Sequence, residues 1–321
     1  MKKLWSTAKA KRHVLARQRY TLKHRREYHV RANRAATRFE RTRFRLVAPE
    51  SFSLVSNPDE TISFLNRIRT IGEQYDPFID LSRVKFLSCD AIAVLIAAVS
   101  GQSINITGNG PDDPALQQML VDSGFYDHVR SQTKSSTSAR GKVTRFSKQQ
   151  ARGVNGEMAS QMVDFARKML GRTTPDKPTY AVLGEIMGNT FDHASSVMEG
   201  QVQWWATVYC DLENHKACYS FVDMGVGIMK SKSFNQRLHY LISTGIRGAA
   251  EQLRALLNRK IPSRSGVPYR GKGLPWVYDT CCAGRIKNLA IIANTVYSQP
   301  QNGVYRNLDN HFHGTFLYWE T

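Results

Sequence analysis

Nine consecutive apolar residues, 91–99 (AIAVLIAAV), constrain the fold more than any other stretch of this chain. A helix over them is apolar all the way round, so it has to be covered all the way round. The run is far short of the ~20 residues that cross a bilayer. It is the longest strongly apolar run in the sequence, so it reads as a buried helix and no membrane span is expected. Signals for short strands and helices alternate around it over residues 50–130. Strands are expected at 52–55, 78–81 and 104–107, and helices at 89–99 and 113–123. Pro58 and Asp59 open a further helix over 59–74, with Ile62, Leu65, Ile68 and Ile71 on one face.

Charge divides the chain more sharply than hydropathy does. The formal net charge is +19, and residues 1–46 supply +14 of it through sixteen Lys and Arg against Glu27 and Glu40. The remaining 275 residues carry about +5. This arm has no Gly or Pro, so helix is permitted, but its apolar residues are too sparse for a packed core. Arginine dominates its distal half, and Trp5, Tyr20, Tyr28, Phe39 and Phe44 interleave the cations. That composition suits a nucleic-acid backbone with some stacking on the bases. Three other readings stay open: docking to an acidic protein, an inert solvated tail, and a transit or membrane-surface segment. Residues 131–152 are rich in Ser, Thr, Lys and Arg with nothing to bury, and read as a mobile linker. A second α/β domain follows over 153–321.

The five cysteines form an odd count without metal-ligand spacing. Reduced, buried thiols in a cytoplasmic protein are the expectation, and no apolar signal-peptide core stands near the start.

Four stretches of the second domain carry chemistry. Glu185 and Asn189 are i,i+4 neighbours on an expected helix, with Asp192 one turn further along the same face. An amide oxygen there suits a hard cation such as Mg²⁺, and a carboxylate can orient a water or take a proton. An apolar strand then ends in Asp223, followed by Gly225 and Gly227 at alternate positions. The Asp can accept from an exocyclic amine, and the glycines let the backbone lie against a flat ring. Arg270, Gly271, Lys272 and Gly273 open another expected helix, a setting that suits phosphate. Last, Thr315 begins a terminal strand from which it can reach a bound base. Singly, each stretch has a plain structural reading: a solvated helix face, a strand exit, a glycine turn, an ordinary strand.

In order and spacing, the four together resemble the GHKL superfamily, the ATP-binding (Bergerat) fold of gyrase, heat-shock chaperone, histidine kinase and MutL ATPases. The resemblance implies an α/β sandwich with helices layered on one mixed sheet, binding ATP with Mg²⁺. It assigns Mg²⁺ to Asn189 and the catalytic or water-activating role to Glu185. It assigns the adenine amine to Asp223, that wall of the pocket to Gly225 and Gly227, and the phosphates to Gly271 and Gly273. Arg270 and Lys272 would add charge there, with Asp192 and Thr315 lining the pocket. Residues 229–269 would form the lid, with helices over 234–242 and 249–257. His193 receives no role. Pro275 departs from the pattern, because it limits how the helix after Gly273 begins.

The region 50–130 is similar to the STAS domains of anti-sigma factor antagonists, through Asp80, Leu81, Ser82, Val84 and Phe86 leading to Ser88, Cys89 and Asp90. Cys89 stands where that family carries a phosphorylatable Ser, so that switch is expected to be absent. The arm histidines His13, His24 and His29 sit in no phospho-acceptor pattern, which argues against a conventional sensor kinase. The function implied is an ATP-dependent regulatory switch or slow ATPase acting on a protein partner through the STAS-like unit or the lid. The alternatives are a serine/threonine kinase of the anti-sigma type and a nucleic-acid-binding protein with an ATP-gated lid.

Overall fold

The computed structural model describes residues 43–72, 74–100, 106–128, 144–150, 154–194, 203–259 and 273–321. The protein is mixed α/β, and Phe44–Thr321 form one compact unit. Nearly all of the basic arm lies outside the described residues, but its last residues belong to β1 (Arg43–Val47), where Leu46 is fully buried. The arm therefore gives way to folded structure a few residues earlier than its charge suggests.

The first region contains β2 (Ser51–Phe52), α1 (Pro58–Gly72), β3 (Asp76–Asp80), β4 (Phe86–Leu87) and α2 (Cys89–Ser100). It ends with β5 (Thr107–Asn109), α3 (Pro114–Asp122) and α4 (Phe125–His128). β1, β3 and β5 make a three-stranded sheet, and β2 pairs in parallel with β4. Asp113 caps α3, its carboxylate accepting from the Ala115 N–H at 2.7 Å. Asp80 is buried where β3 meets its neighbours. Its carboxylate accepts from Ser82 Oγ at 2.7 Å, Asn109 Nδ2 at 2.8 Å and Arg45 Nε at 2.7 Å. Burial alone would raise this carboxyl. The bonds from Ser82, Asn109 and Arg45 outweigh it and hold the group well below the usual range.

The second region supplies β6 (Thr144–Gln150), α5 (Gly156–Met169), α6 (Lys177–Ala194), β7 (Gln203–Asp211) and β8 (Lys216–Asp223). After β8 come α7 (Lys232–Ser243), α8 (Ala249–Leu257) and α9 (Gly273–Cys282). The last strands are β9 (Lys287–Ala293), β10 (Val296–Gln299), β11 (Val304–Asn307) and β12 (Thr315–Glu320). Seven strands form one sheet in the order β11-β10-β9-β12-β8-β7-β6. Every neighbouring pair is antiparallel, so the expected mixed sheet is replaced by an antiparallel one. The short β7–β8, β9–β10 and β10–β11 connections reverse the chain and leave those three pairs no room for a parallel crossover. β6 also corrects the linker: residues 144–150 pair with β7 along the sheet edge, while 131–143 lie outside the described residues.

Period-two alternation along these strands splits the core in two. Trp204, Ala206, Tyr219, Phe221, Leu317 and Trp319 face α5, α6 and α9. There the Tyr219 and Trp319 rings stack at 5.4 Å and Trp204 stacks on Phe221 at 5.2 Å. On the opposite face, Trp205, Val222, Ala290, Ile292, Phe316 and Tyr318 join the core built by α1 and α2. Helix α2 packs on β7 and β8 with one side and on α1 with another. That placement accounts for the nine-residue apolar run, because the helix is a layer between two other layers. Cys89, Cys210, Cys218 and Cys281 are buried thiols as expected, whereas Cys282 is exposed. Among the described residues no helix is long and apolar enough to cross a membrane.

Candidate functional site

From Ala217 onward β8 is buried to its end at Asp223, a residue 6% exposed. Thr315, the first residue of β12, lies opposite it in register. The approach is close enough that Gly314, at φ +115°, has no room for a Cβ, which would strike the Asp223 carbonyl. Burial pushes the Asp223 carboxyl up to about 6. Hydrogen bonds from the Gly225 N–H, at 2.9 Å, and from Thr315 limit that rise. The group is therefore an acceptor at neutral pH, and the Gly225 N–H with the two bonds from Thr315 take three of its roughly four acceptor positions.

After Gly225 the chain turns at Gly227, whose φ of +77° favours glycine. A Cβ at Gly227 would meet the Asn294 amide at 2.5 Å and the Gly314 carbonyl at 2.7 Å. Asn294 sits in the two-residue turn between β9 and β10 and clamps this loop. Its Oδ1 accepts from the Met229 N–H at 3.0 Å, and its Nδ2 donates to the Val226 carbonyl at 2.9 Å. A single 3-10 turn over Ile228–Lys230 follows, and Ser231 then caps α7 by accepting from the Phe234 N–H.

The other wall comes from α6 and α9. Asn189 lies on α6, with Ile186 and Thr190 beside it, and Gly273 begins α9 directly against the Asn189 amide. A Cβ at Gly273 would fall on that amide. Pro275 occupies the first turn of α9, where its missing N–H has no carbonyl to serve, so the expected difficulty does not arise.

These elements enclose a cavity of about 120 Å³, far more than the ~10–15 Å³ one water needs. Asn189, Asp223, Gly227, Gly273 and Thr315 line it, with apolar walls from Ile186, Phe221 and Leu274. Ile228, Ser231, Phe234 and Leu256 close it from the segment after Gly227. Gly225 contributes through its N–H rather than as wall. Glu185 is half-buried one turn before Asn189 on α6 and is not among the lining residues. The side chain of Asp192, and Arg270, Gly271 and Lys272 entirely, lie outside the described residues.

Sequence reasoning missed Asn294 altogether. The Asn-Thr pair between two apolar strands signals a hairpin turn, but not that the amide reaches a loop more than sixty residues earlier in the chain. Among the described residues no group of three or more His, Cys, Asp or Glu gathers as a metal cluster. No family model matches this chain, and no curated protein matches it.

Proposed function

We propose that this chain is an ATP- and Mg²⁺-binding regulatory protein of the GHKL type, a slow ATPase or nucleotide-dependent switch acting on a partner. The observation that carries the reading is the convergence of Asn189, Asp223, Gly227, Gly273 and Thr315 on one cavity. They come from the four stretches whose order and spacing resemble that superfamily. The donor set fits the ligand. Asp223 offers a buried acceptor to an exocyclic amine, and the apolar walls suit a flat heteroaromatic ring. Gly273 leaves the backbone bare beside Asn189, as a close-lying phosphate requires.

Asn189 would supply one oxygen to Mg²⁺, in keeping with a cation that retains waters and phosphate ligands rather than an all-protein cage. Bound Mg²⁺ would neutralise phosphate charge. Glu185 would orient the attacking water from the turn below Asn189. Ile228, Ser231, Phe234 and Leu256 would transmit occupancy of the cavity to α7 and α8, and so to a partner. In the STAS-like region the start of α2 is closed to partners. Cys89 and Asp90 are buried, and Asp90 accepts from the Leu54 N–H at 2.6 Å.

One observation favours the nucleic-acid reading alongside this one. The segment 229–272, part of which lines the cavity, holds ten Lys and Arg and one acidic residue, Glu251. A polyanion bound there would be coupled directly to the nucleotide. The deciding experiment is calorimetry of Mg·ATP with wild type and Asn189→Ala, with phosphate release followed in parallel. Binding lost in the variant together with slow turnover supports the switch. Transfer of labelled phosphate to a protein substrate would make the chain a kinase. Absence of wild-type binding would refute the proposal.

A further inference from the structure

The segment between β11 and β12, residues 308–314, is tied to both regions of the fold. On one side it is held by α1. Asp59 Oδ1 accepts from the Asp309 N–H at 3.1 Å, and Asp59 Oδ2 accepts from Arg306 at 2.7 Å. Two turns later on α1, Asn66 Nδ2 donates to the His311 carbonyl at 2.9 Å. Leu308 and Phe312 are buried in the core that α1 and α2 build. From β10, the Tyr297 hydroxyl adds a bond to the Val55 carbonyl at 2.7 Å, just ahead of α1.

On its other side the segment is held to the β9–β10 turn. The Phe312 N–H donates to the Asn294 carbonyl at 2.7 Å, and the Leu308 N–H donates to the Thr295 carbonyl at 2.8 Å. His311 Nε2 lies 3.4 Å from Asn294 Nδ2. Asn294 is buried at φ +56°, in the left-handed region that Asn tolerates better than most residues. Its side chain turns the opposite way, to Met229 and Val226. The Met229 N–H can only donate and the Val226 carbonyl can only accept, so both ends of the amide are assigned by their partners. Val226, Gly227 and Ile228, which this amide holds, wall the cavity. Beyond Phe312 the segment runs on to Gly314 against the Asp223 carbonyl and to Thr315 in the cavity itself. A short stretch of chain therefore meets α1 on one side and two walls of the cavity on the other.

We propose that Asn294 is a positioning residue of the cavity and that α1 of the first region acts on the cavity through it. Residues 308–313 fix the Asn294 backbone, and the Asn294 amide sets where Val226, Gly227 and Ile228 stand. A partner seated on the first region would move α1, and that movement would reach the cavity wall through this one side chain. Coupling of this kind is reciprocal, so a ligand that fixes the Gly227 loop also fixes residues 308–313 against α1. The regulatory half of the proposal rests on the nucleotide reading, whereas the hold of α1 on the loop does not.

The experiment is amide hydrogen exchange of the full chain by NMR, first without ligand. Asn294→Gly keeps the left-handed backbone and removes both side-chain bonds. Asn66→Ala removes the bond on the α1 side with a residue that favours helix. Exchange at the Met229 N–H should rise about tenfold in Asn294→Gly and about threefold in Asn66→Ala. Asn294→Asp keeps the acceptor for Met229 and should restore part of the protection. The Ala217 N–H, bonded to the Thr321 carbonyl at the end of β8 away from Asp223, reports general loosening and should keep its rate. With Mg·ATP bound, the Asp309 N–H should exchange more slowly in wild type and lose that protection in Asn294→Gly. Asp309 is bonded to α1 and not to the cavity, so a merely structural Asn294 would leave it unmoved. An unchanged Met229 rate in Asn66→Ala, or an equal rise at Ala217, would overturn the proposal, as would an Asp309 rate indifferent to bound nucleotide. Absence of Mg·ATP binding by wild type refutes the nucleotide reading alone, and the ligand-free Met229 rates then decide the role of Asn294.

Discussion

Asp223 combines a buried position with an acceptor that the protein only partly uses, and that combination makes it testable by pH. Its folded value of about 6 lies above the ~3.9 of an unfolded Asp. The folded state therefore holds a proton over an interval in which the unfolded chain has released it, and the group's stability contribution falls as pH rises from about 4 to about 6. Ligand binding runs the other way. If the carboxylate accepts from an exocyclic amine, nucleotide affinity should fall as pH drops through about 6. Asp223→Asn should lower affinity at neutral pH at least tenfold and flatten that profile, which calorimetry at several pH values would measure. An unchanged profile in the variant would remove Asp223 from the site. Gly273→Ala is the steric counterpart. The added methyl collides with the Asn189 amide, so binding should weaken markedly while the urea midpoint shifts little. Asp80 behaves oppositely to Asp223, since its folded value is depressed. Its contribution is present above the unfolded value and is lost as pH falls toward the folded one. Wild type should therefore lose more stability than Asp80→Asn between pH 5 and 3, read from urea midpoints.

Helix α2 is the element on which the architecture turns. Ala91, Ala93, Leu95 and Ile96 are all essentially inaccessible, although they project in different directions around the helix. Leu95→Ala should cost about 2–5 kcal/mol in chemical denaturation. Because the helix contacts β7 and β8 as well as α1, that loss should appear in one transition shared by both regions. Two separated transitions would show that the shared core is weaker than its burial implies. Most elements were legible at this scale. The α1, α2 and α3 helices, the helix through Glu185 and Asn189, and the strand ending at Asp223 fall within a few residues of where period and capping residues put them. β6 was missed because its sequence, TRFSKQQ, has the composition of a linker and little apolar content. It is a strand because β7 offers it an edge, and such pairing depends on the partner rather than on local propensity.

At the scale of the molecule, charge and core are separate matters. The arm carries most of the net charge, while Phe44–Thr321 form the compact unit. Deleting residues 1–42 should leave the thermal midpoint within about 2 °C. If the arm contacts nucleic acid, the deletion should also reduce the slope of log affinity against log salt. Equal salt dependence in the truncated chain would move polyanion contact to the segment 229–272. The sequence by itself determined most of the helices and the strand ending at Asp223, that 91–99 must be buried on all sides, and which polar residues stand at the ends of apolar elements. These are local properties of period, capping and side-chain chemistry. Only the tertiary structure decided that α2 covers the second face of the seven-stranded sheet, that Gly273 abuts Asn189, and that Asn294 and His311 meet behind the Gly227 loop. Those contacts join residues far apart in the chain, and no spacing rule records which face of one element another will cover.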